Sequence, residues 1–188
     1  MAVQFAVSGD LGSDTTRAAD RWAAHPRRRP MRNRGAVVAA TVPEVVNSLG
    51  GWIFDRSTAG CETVVLVAAL GDTRALEILG AKAIPLAEAP ADVEWAGDLD
   101  VLAAAADIYL ADARVREIFR MRRDRNAQQT YLWGREPDIE IGAGFAVVTP
   151  HRVSLAGQAF KRAALDAVGI THDAQPVAEV LWTAHGQV

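Results

Sequence analysis

One cysteine, two lysines and no apolar run long enough to cross a bilayer constrain this 188-residue chain before any motif does. Cys61, alone, excludes an internal disulfide and any cysteine-based zinc cluster. Between Gly60 and an apolar run, its thiol is expected to pack as a small hydrophobe. That run, Val64 to Leu70, is the longest of its kind and falls well short of the ~20 residues that span a membrane. The amino-terminal MAVQFAVSGD has neither a basic flank nor a long apolar segment, so it does not read as a secretory signal; a cytoplasmic address and no membrane partner are expected. The four histidines (His25, His151, His172, His185) are scattered, and no two have the i, i+4 spacing of a helical metal pair. Only two of the twenty basic residues are lysines and the formal net charge is -3, so general coating of nucleic acid is not expected.

What is present is apolar: half of the residues are hydrophobic, enough for one sizeable core and too few for two full-sized domains. Val37 to Asp72 carries the clearest pattern. Four apolar residues, Val37 to Ala40, lead into a polar turn, a Gly50-Gly51 pair, a helix ending at Ala59-Gly60, and the run Val64 to Leu70. Strand, loop, helix, strand opens a parallel α/β sheet, where ligands bind beyond the carboxyl ends of the strands. The loop there holds Thr41, Val42, Pro43 and Glu44. Thr41 and Glu44 are spaced as a capping box with Pro43 just inside the helix start. The helix is expected to bury Val45, Leu49, Trp52, Ile53 and the stem of Arg56 on one side.

The same stretch resembles the PIG-L (LmbE-like) family of zinc-dependent N-acetylglucosaminyl deacetylases, in which a first strand runs into A-H-P-D-D-E, a Gly-Gly pair, a helix ending A-G-H and a second strand. Counted back from Gly50-Gly51, Thr41 stands in place of the first metal-binding His, Pro43 in place of the general base, and Glu44 in place of the zinc-binding Asp. A second family motif, T-P-H followed by H-P-D-H on a helix start, is matched by Thr149-Pro150-His151 and then Ser154 to Phe160. Ser154 takes the place of the oxyanion-steadying His, and Gly157 that of the third metal ligand. The matched segments, about 36–86 and 145–183, cover roughly half the chain and match on apolar frame and glycines. The resemblance implies a fold kept while its chemistry is lost. It also implies that positions 41, 43, 44 and 157 converge at the sheet edge. Ala24-His25-Pro26 mimics A-H-P, but arginines follow where carboxylates are required.

Beyond Asp72 the pattern continues as a second α/β unit. Asp72 or Thr73 caps a short helix with Leu76, Ile78 and Leu79, Gly80 ends it, and residues 82–86 form the next strand. Asp72 also sits where acidic residues meet sugar hydroxyls. Residues 87–97 are acidic and contain Pro90, as in an exposed connection. A long helical stretch is expected over 99–125, ending with six arginines between Arg114 and Arg125. Arg116, Arg120 and Arg123 share a face that could neutralise phosphates; the plainer reading is a solvated face paired with Glu117 and Asp124. In the amino-terminal arm, 1–34, Arg27, Arg28, Arg29, Arg32 and Arg34 accompany Pro26 and Pro30, which argue for a flexible segment rather than a helix.

The sequence therefore predicts a three-layer α/β sandwich, Rossmann-like, with a mostly parallel sheet and helices on both faces. Its strands are placed near 36–40, 63–70, 82–86, 143–149 and 177–183. The arm 1–34 precedes a single domain over 35–188 with a helical insertion at about 99–125. The favoured function is a catalytically inactive PIG-L-like binding or assembly module. Its candidate pocket is Thr41, Glu44, Asp72, His151 and Ser154, it needs no metal or other cofactor, and its partner is a sugar, a nucleotide or a protein. The first alternative is a zinc-dependent hydrolase with a rearranged site built from Glu44, His151 and either Asp72 or Asp10. The second is nucleic-acid binding through Arg116, Arg120 and Arg123.

Overall fold

A computed structural model describes residues 33–90, 92–125, 129–134, 145–171 and 176–184. The arginine arm up to residue 32, Asp10, His25, His172 and His185 lie outside them.

Among the described residues seven strands form one sheet in the order β3-β2-β1-β4-β5-β7-β6: β1 Arg34–Thr41, β2 Glu62–Ala69, β3 Lys82–Pro85, β4 Val101–Ala105, β5 Thr130–Trp133, β6 Phe145–Arg152 and β7 Ala178–Ala184. The pairs from β3 through β5 are parallel, and β7 is antiparallel to both β5 and β6. Continuous apolar runs such as Val64 to Val67 suit strands covered on both faces. Alternation divides the side chains accordingly. Val37, Ala39, Val65, Val67, Ala103, Trp133 and Leu181 point to one layer, and Ala36, Val38, Val64, Leu66, Leu102, Ala104 and Leu132 to the other. The first layer is α1 (Val42–Thr58), α2 (Arg74–Ile78) and α5 (Leu155–Ala167); the second includes α3 (Ala106–Ala111) and α4 (Ala113–Asp124). This is the expected three-layer α/β sandwich with a mostly parallel sheet. Among the described residues no helix is long and apolar enough to cross a membrane.

The expected helix over 99–125 is corrected. Its first part is β4, a fully buried strand paired between β1 and β5, and only α3 and α4 are helical. The alanines of VLAAA favour a helix intrinsically, but a strand covered on both faces has room for small side chains, and the tertiary setting overrides the propensity. The five expected strands are thus seven, since β5 was also not anticipated. β6 runs on through Thr149, Pro150 and His151 to Arg152, so T-P-H lies inside a strand. Pro150 is tolerated there because β6 ends the sheet order, where a missing N–H costs no second ladder bond.

Candidate functional site

The loop after β1 is a helix cap. Thr41 has extended backbone, its hydroxyl accepts the Glu44 N–H at 3.3 Å, and the Glu44 carboxylate accepts the N–H groups of Ala40 at 3.1 Å and Thr41 at 3.4 Å. Pro43 occupies the first turn, where its missing N–H is harmless. Both polar groups of the first motif are committed to the backbone. The helix then buries Val45, Leu49, Trp52 and Ile53 as expected, and the Arg56 guanidinium lies 4.9 Å from the centre of the Trp52 ring.

His151 and Ser154 meet each other's surroundings, but not Glu44. His151 Nε2 is 2.8 Å from Asp55 Oδ2, the Ser154 N–H donates to the same oxygen at 3.0 Å, and the Ser154 hydroxyl donates to Asp55 Oδ1 at 2.5 Å. Ser154 caps α5 in turn, accepting the Gly157 N–H at 2.9 Å. Burial alone would raise the Asp55 pKa, but the Ser154 hydroxyl and N–H and the His151 ring outweigh it and hold the carboxyl below the usual range. The carboxylate is the hub, receiving both Ser154 and His151. A Ser–His–Asp relay would instead need the imidazole in the middle.

Gly157 packs beside Asp55 and Gly50 beside Lys161, so α5 runs antiparallel to α1 and begins at its far end. Eleven residues separate Glu44 from Asp55, about 16 Å at 1.5 Å per residue. The expected convergence of positions 41, 43, 44 and 157 on one point is therefore not found. A β-carbon on Gly157 would also stand 2.8 Å from Asp55 Oδ1 and 2.9 Å from Val153 Cγ1.

Asp72 forms a third, separate group. It accepts the Arg74 N–H at 3.0 Å, opening α2, and its side chain pairs with the Arg74 guanidinium at 2.5 Å. That pairing holds the Asp72 carboxyl below its ordinary pKa. Thr41 and Ala69 are register partners at the carboxyl ends of β1 and β2, so Thr41, Glu44 and Asp72 share that edge. Zinc hydrolysis needs about three protein ligands, an open position and a base. Among the described residues no three His, Cys, Asp or Glu side chains are grouped so as to hold a metal ion, and the residues present do not fit the zinc of the resembled family.

On α4, Arg120 pairs with Glu117 at 2.6 Å and with Asp124 at 2.7 Å, Arg116 donates to the carbonyls of Tyr109 and Leu110, and Arg123 is exposed. Arg122 is the arginine that folds inward. Fully buried, it donates to the Ala96 and Leu99 carbonyls at 2.7 and 2.9 Å and to the Thr130 hydroxyl at 3.0 Å, and burial pushes its pKa down to about 10. Cys61 is buried as expected, which raises its thiol pKa.

Three polar residues were missed by sequence reasoning: Asp55, Lys161 and Glu179. Lys161 Nζ donates to Glu179 Oε1 at 2.7 Å with both side chains almost fully buried. The available signal was a lysine on the helix stripe of Gly157, Ala164 and Leu165, with a glutamate at the inward register of Leu181 and Thr183.

No protein-family model and no curated protein matches this sequence. Solved structures do match in fold. A deacetylase of teicoplanin biosynthesis in complex with teicoplanin has a TM-score of 0.56 at 12% identity, over 81% of this chain and 98% of that one. The same type of deacetylase in a bog complex gives 0.57 at 12% identity, over 83% of this chain and 100% of that one. The A40926 pseudoaglycone deacetylase gives 0.52 at 13% identity, over 84% and 99%. The chain thus shares the three-layer α/β fold of these deacetylases.

Proposed function

We propose that this protein is a catalytically inactive deacetylase-fold protein that acts as a binding or assembly module. The observation that carries the reading is the capping box. By the resemblance Thr41 and Glu44 take the places of metal ligands and Pro43 that of the base; here the Thr41 hydroxyl holds the Glu44 N–H, and the Glu44 carboxylate holds the N–H groups of Ala40 and Thr41. Pro43 has no group to take a proton from water. The ligand class best suited to the remaining edge is a sugar or another hydroxyl-rich molecule such as a nucleoside. It would meet Thr41 and Asp72 at the carboxyl ends of neighbouring strands. His151 and Ser154 are engaged by Asp55. A cytoplasmic address goes with this reading.

The rearranged hydrolase draws no support from the geometry, because Glu44, His151 and Asp72 are each engaged in a different group. Metal analysis of the purified protein tests the proposal. Zinc well below one equivalent is expected after desalting. Near-equimolar zinc that disappears in Glu44→Ala or His151→Ala would replace it with the hydrolase reading.

A further inference from the structure

Helix α1 receives a carboxylate in its middle. The N–H groups of Gly51 and Trp52 donate to Glu179 Oε1 at 3.0 Å and Oε2 at 2.7 Å, and Lys161 Nζ donates to Oε1 at 2.7 Å. In a helix interior these N–H groups belong to the carbonyls four residues back, here Asn47 and Ser48. A side chain accepting two successive N–H groups is instead the arrangement of a helix amino terminus, where those donors have no internal partner. Side-chain insertion into the ladder and glycine-containing sequences are also where helices kink.

The Gly50-Gly51 pair makes this approach possible. A β-carbon on Gly51 would stand 2.3 Å from Val153 Cγ1, and one on Gly50 would stand 3.1 Å from Lys161 Cγ. The two glycines bring the middle of α5 and the β6–α5 connection against the helix backbone, and Glu179 reaches that backbone from β7.

We propose that α1 is two capped segments joined at a hinge at Gly50-Gly51, and that Glu179, held by Lys161, is the latch that aligns them. The first segment, up to residue 49, has Thr41 and Glu44 as its own cap; the second, from residue 52, has Glu179. Release of the latch frees the first segment, which carries the carboxyl-edge residues Thr41 and Glu44, while the second stays bound through Asp55 to α5. The hinge stands whether or not the chain binds a sugar at that edge.

Native-state amide exchange followed residue by residue tests it. In the unmodified protein, the amides of Val45 to Gly50 are expected to exchange through an opening at least about ten-fold more populated than the one that exposes Ile53 to Thr58. In Glu179→Gln, which keeps the shape of the side chain and removes its charge, the first segment is expected to exchange about ten-fold faster again, and the second, still held to α5 through Asp55, to accelerate by clearly less. Equal opening of both segments in the unmodified protein would establish one cooperative helix and overturn the hinge, with no variant required. Equal acceleration of both in Glu179→Gln would overturn the latch.

Discussion

Asp55 and Ser154 are tied twice, Oδ2 to the Ser154 N–H at 3.0 Å and Oδ1 to its hydroxyl at 2.5 Å, although they are 99 residues apart in sequence. This contact fixes which end of α1 the helix start of α5 meets. It draws Ser154, Gly157 and His151 toward the last turns of α1 and away from the capped first turn.

That tie is also charge-dependent. The folded-state pKa of Asp55 lies below its ordinary value, so its contribution is present above the unfolded-state pKa of about 3.9 and is lost as pH falls through the lower folded value. Asp55→Ala is expected to cost about 2 kcal/mol at neutral pH, as for a lost cap with charge-assisted bonds. Denaturant unfolding of both proteins between neutral pH and pH 3 should show the difference narrowing below pH 4. A constant difference across that range would mean that packing, not the carboxylate, holds the two helices.

Close approach of α1 to Val153 makes a second expectation. Gly51→Ala puts a β-carbon 2.3 Å from Val153 Cγ1 and should destabilise by about 1–3 kcal/mol, as overpacked cores do. Val153→Ala should remove most of that penalty when the two are combined, so the double-mutant cycle should show a favourable coupling of about 1 kcal/mol or more. Strict additivity would show that the helices part without cost.

Much of this architecture was legible because it rests on local pattern. The apolar runs of β1 and β2, the Thr41/Glu44 box and the Gly80 helix end are each set by neighbouring residues, and the structure places them as read, with Gly80 at φ +76°. β4 was not legible, since VLAAA is a good helix sequence until β1 and β5 flank it. The polar groups between α1, α5 and the sheet were hidden for another reason. Asp55 finds His151 across 96 residues and Glu179 finds Gly51 across 128, so no spacing in the chain announces them. The family-like spacing of Ser154 and Gly157 was misleading for the same reason: it fixed a helix start but not the end of α1 against which it packs.

For the arginines of α4, the pairing of Arg120 with Glu117 and Asp124 leaves little for a phosphate backbone. Binding to a short duplex should be weak at low salt and absent at physiological salt, with log K falling by about 0.7–0.9 per contacted phosphate and log unit of salt. Affinity that persists at physiological salt and is abolished in Arg116→Ala/Arg120→Ala/Arg123→Ala would transfer the function to nucleic acids.

The sharpest test of the site geometry is to put the family's groups back. Thr41→His, Pro43→Asp, Glu44→Asp and Gly157→His together would supply two imidazoles and two carboxylates. If the four positions converged, the several kcal/mol that a formed zinc site returns would outweigh the loss of the cap, about 1–2 kcal/mol. The structure argues the other way. Position 157 lies beside Asp55, about 16 Å along α1 from position 44, and a β-carbon there meets the Asp55 carboxylate and Val153. The variant is therefore expected to melt at a lower temperature than the parent and to gain no stability from added zinc. Because Gly157→His could unfold the chain by itself, the same titration is run on the variant that keeps Gly157. Zinc should leave its melting temperature unchanged, as it does that of the fourfold variant. A rise of several degrees confined to the fourfold variant would show that position 157 does reach the metal, and would overturn the separation of the two helix starts.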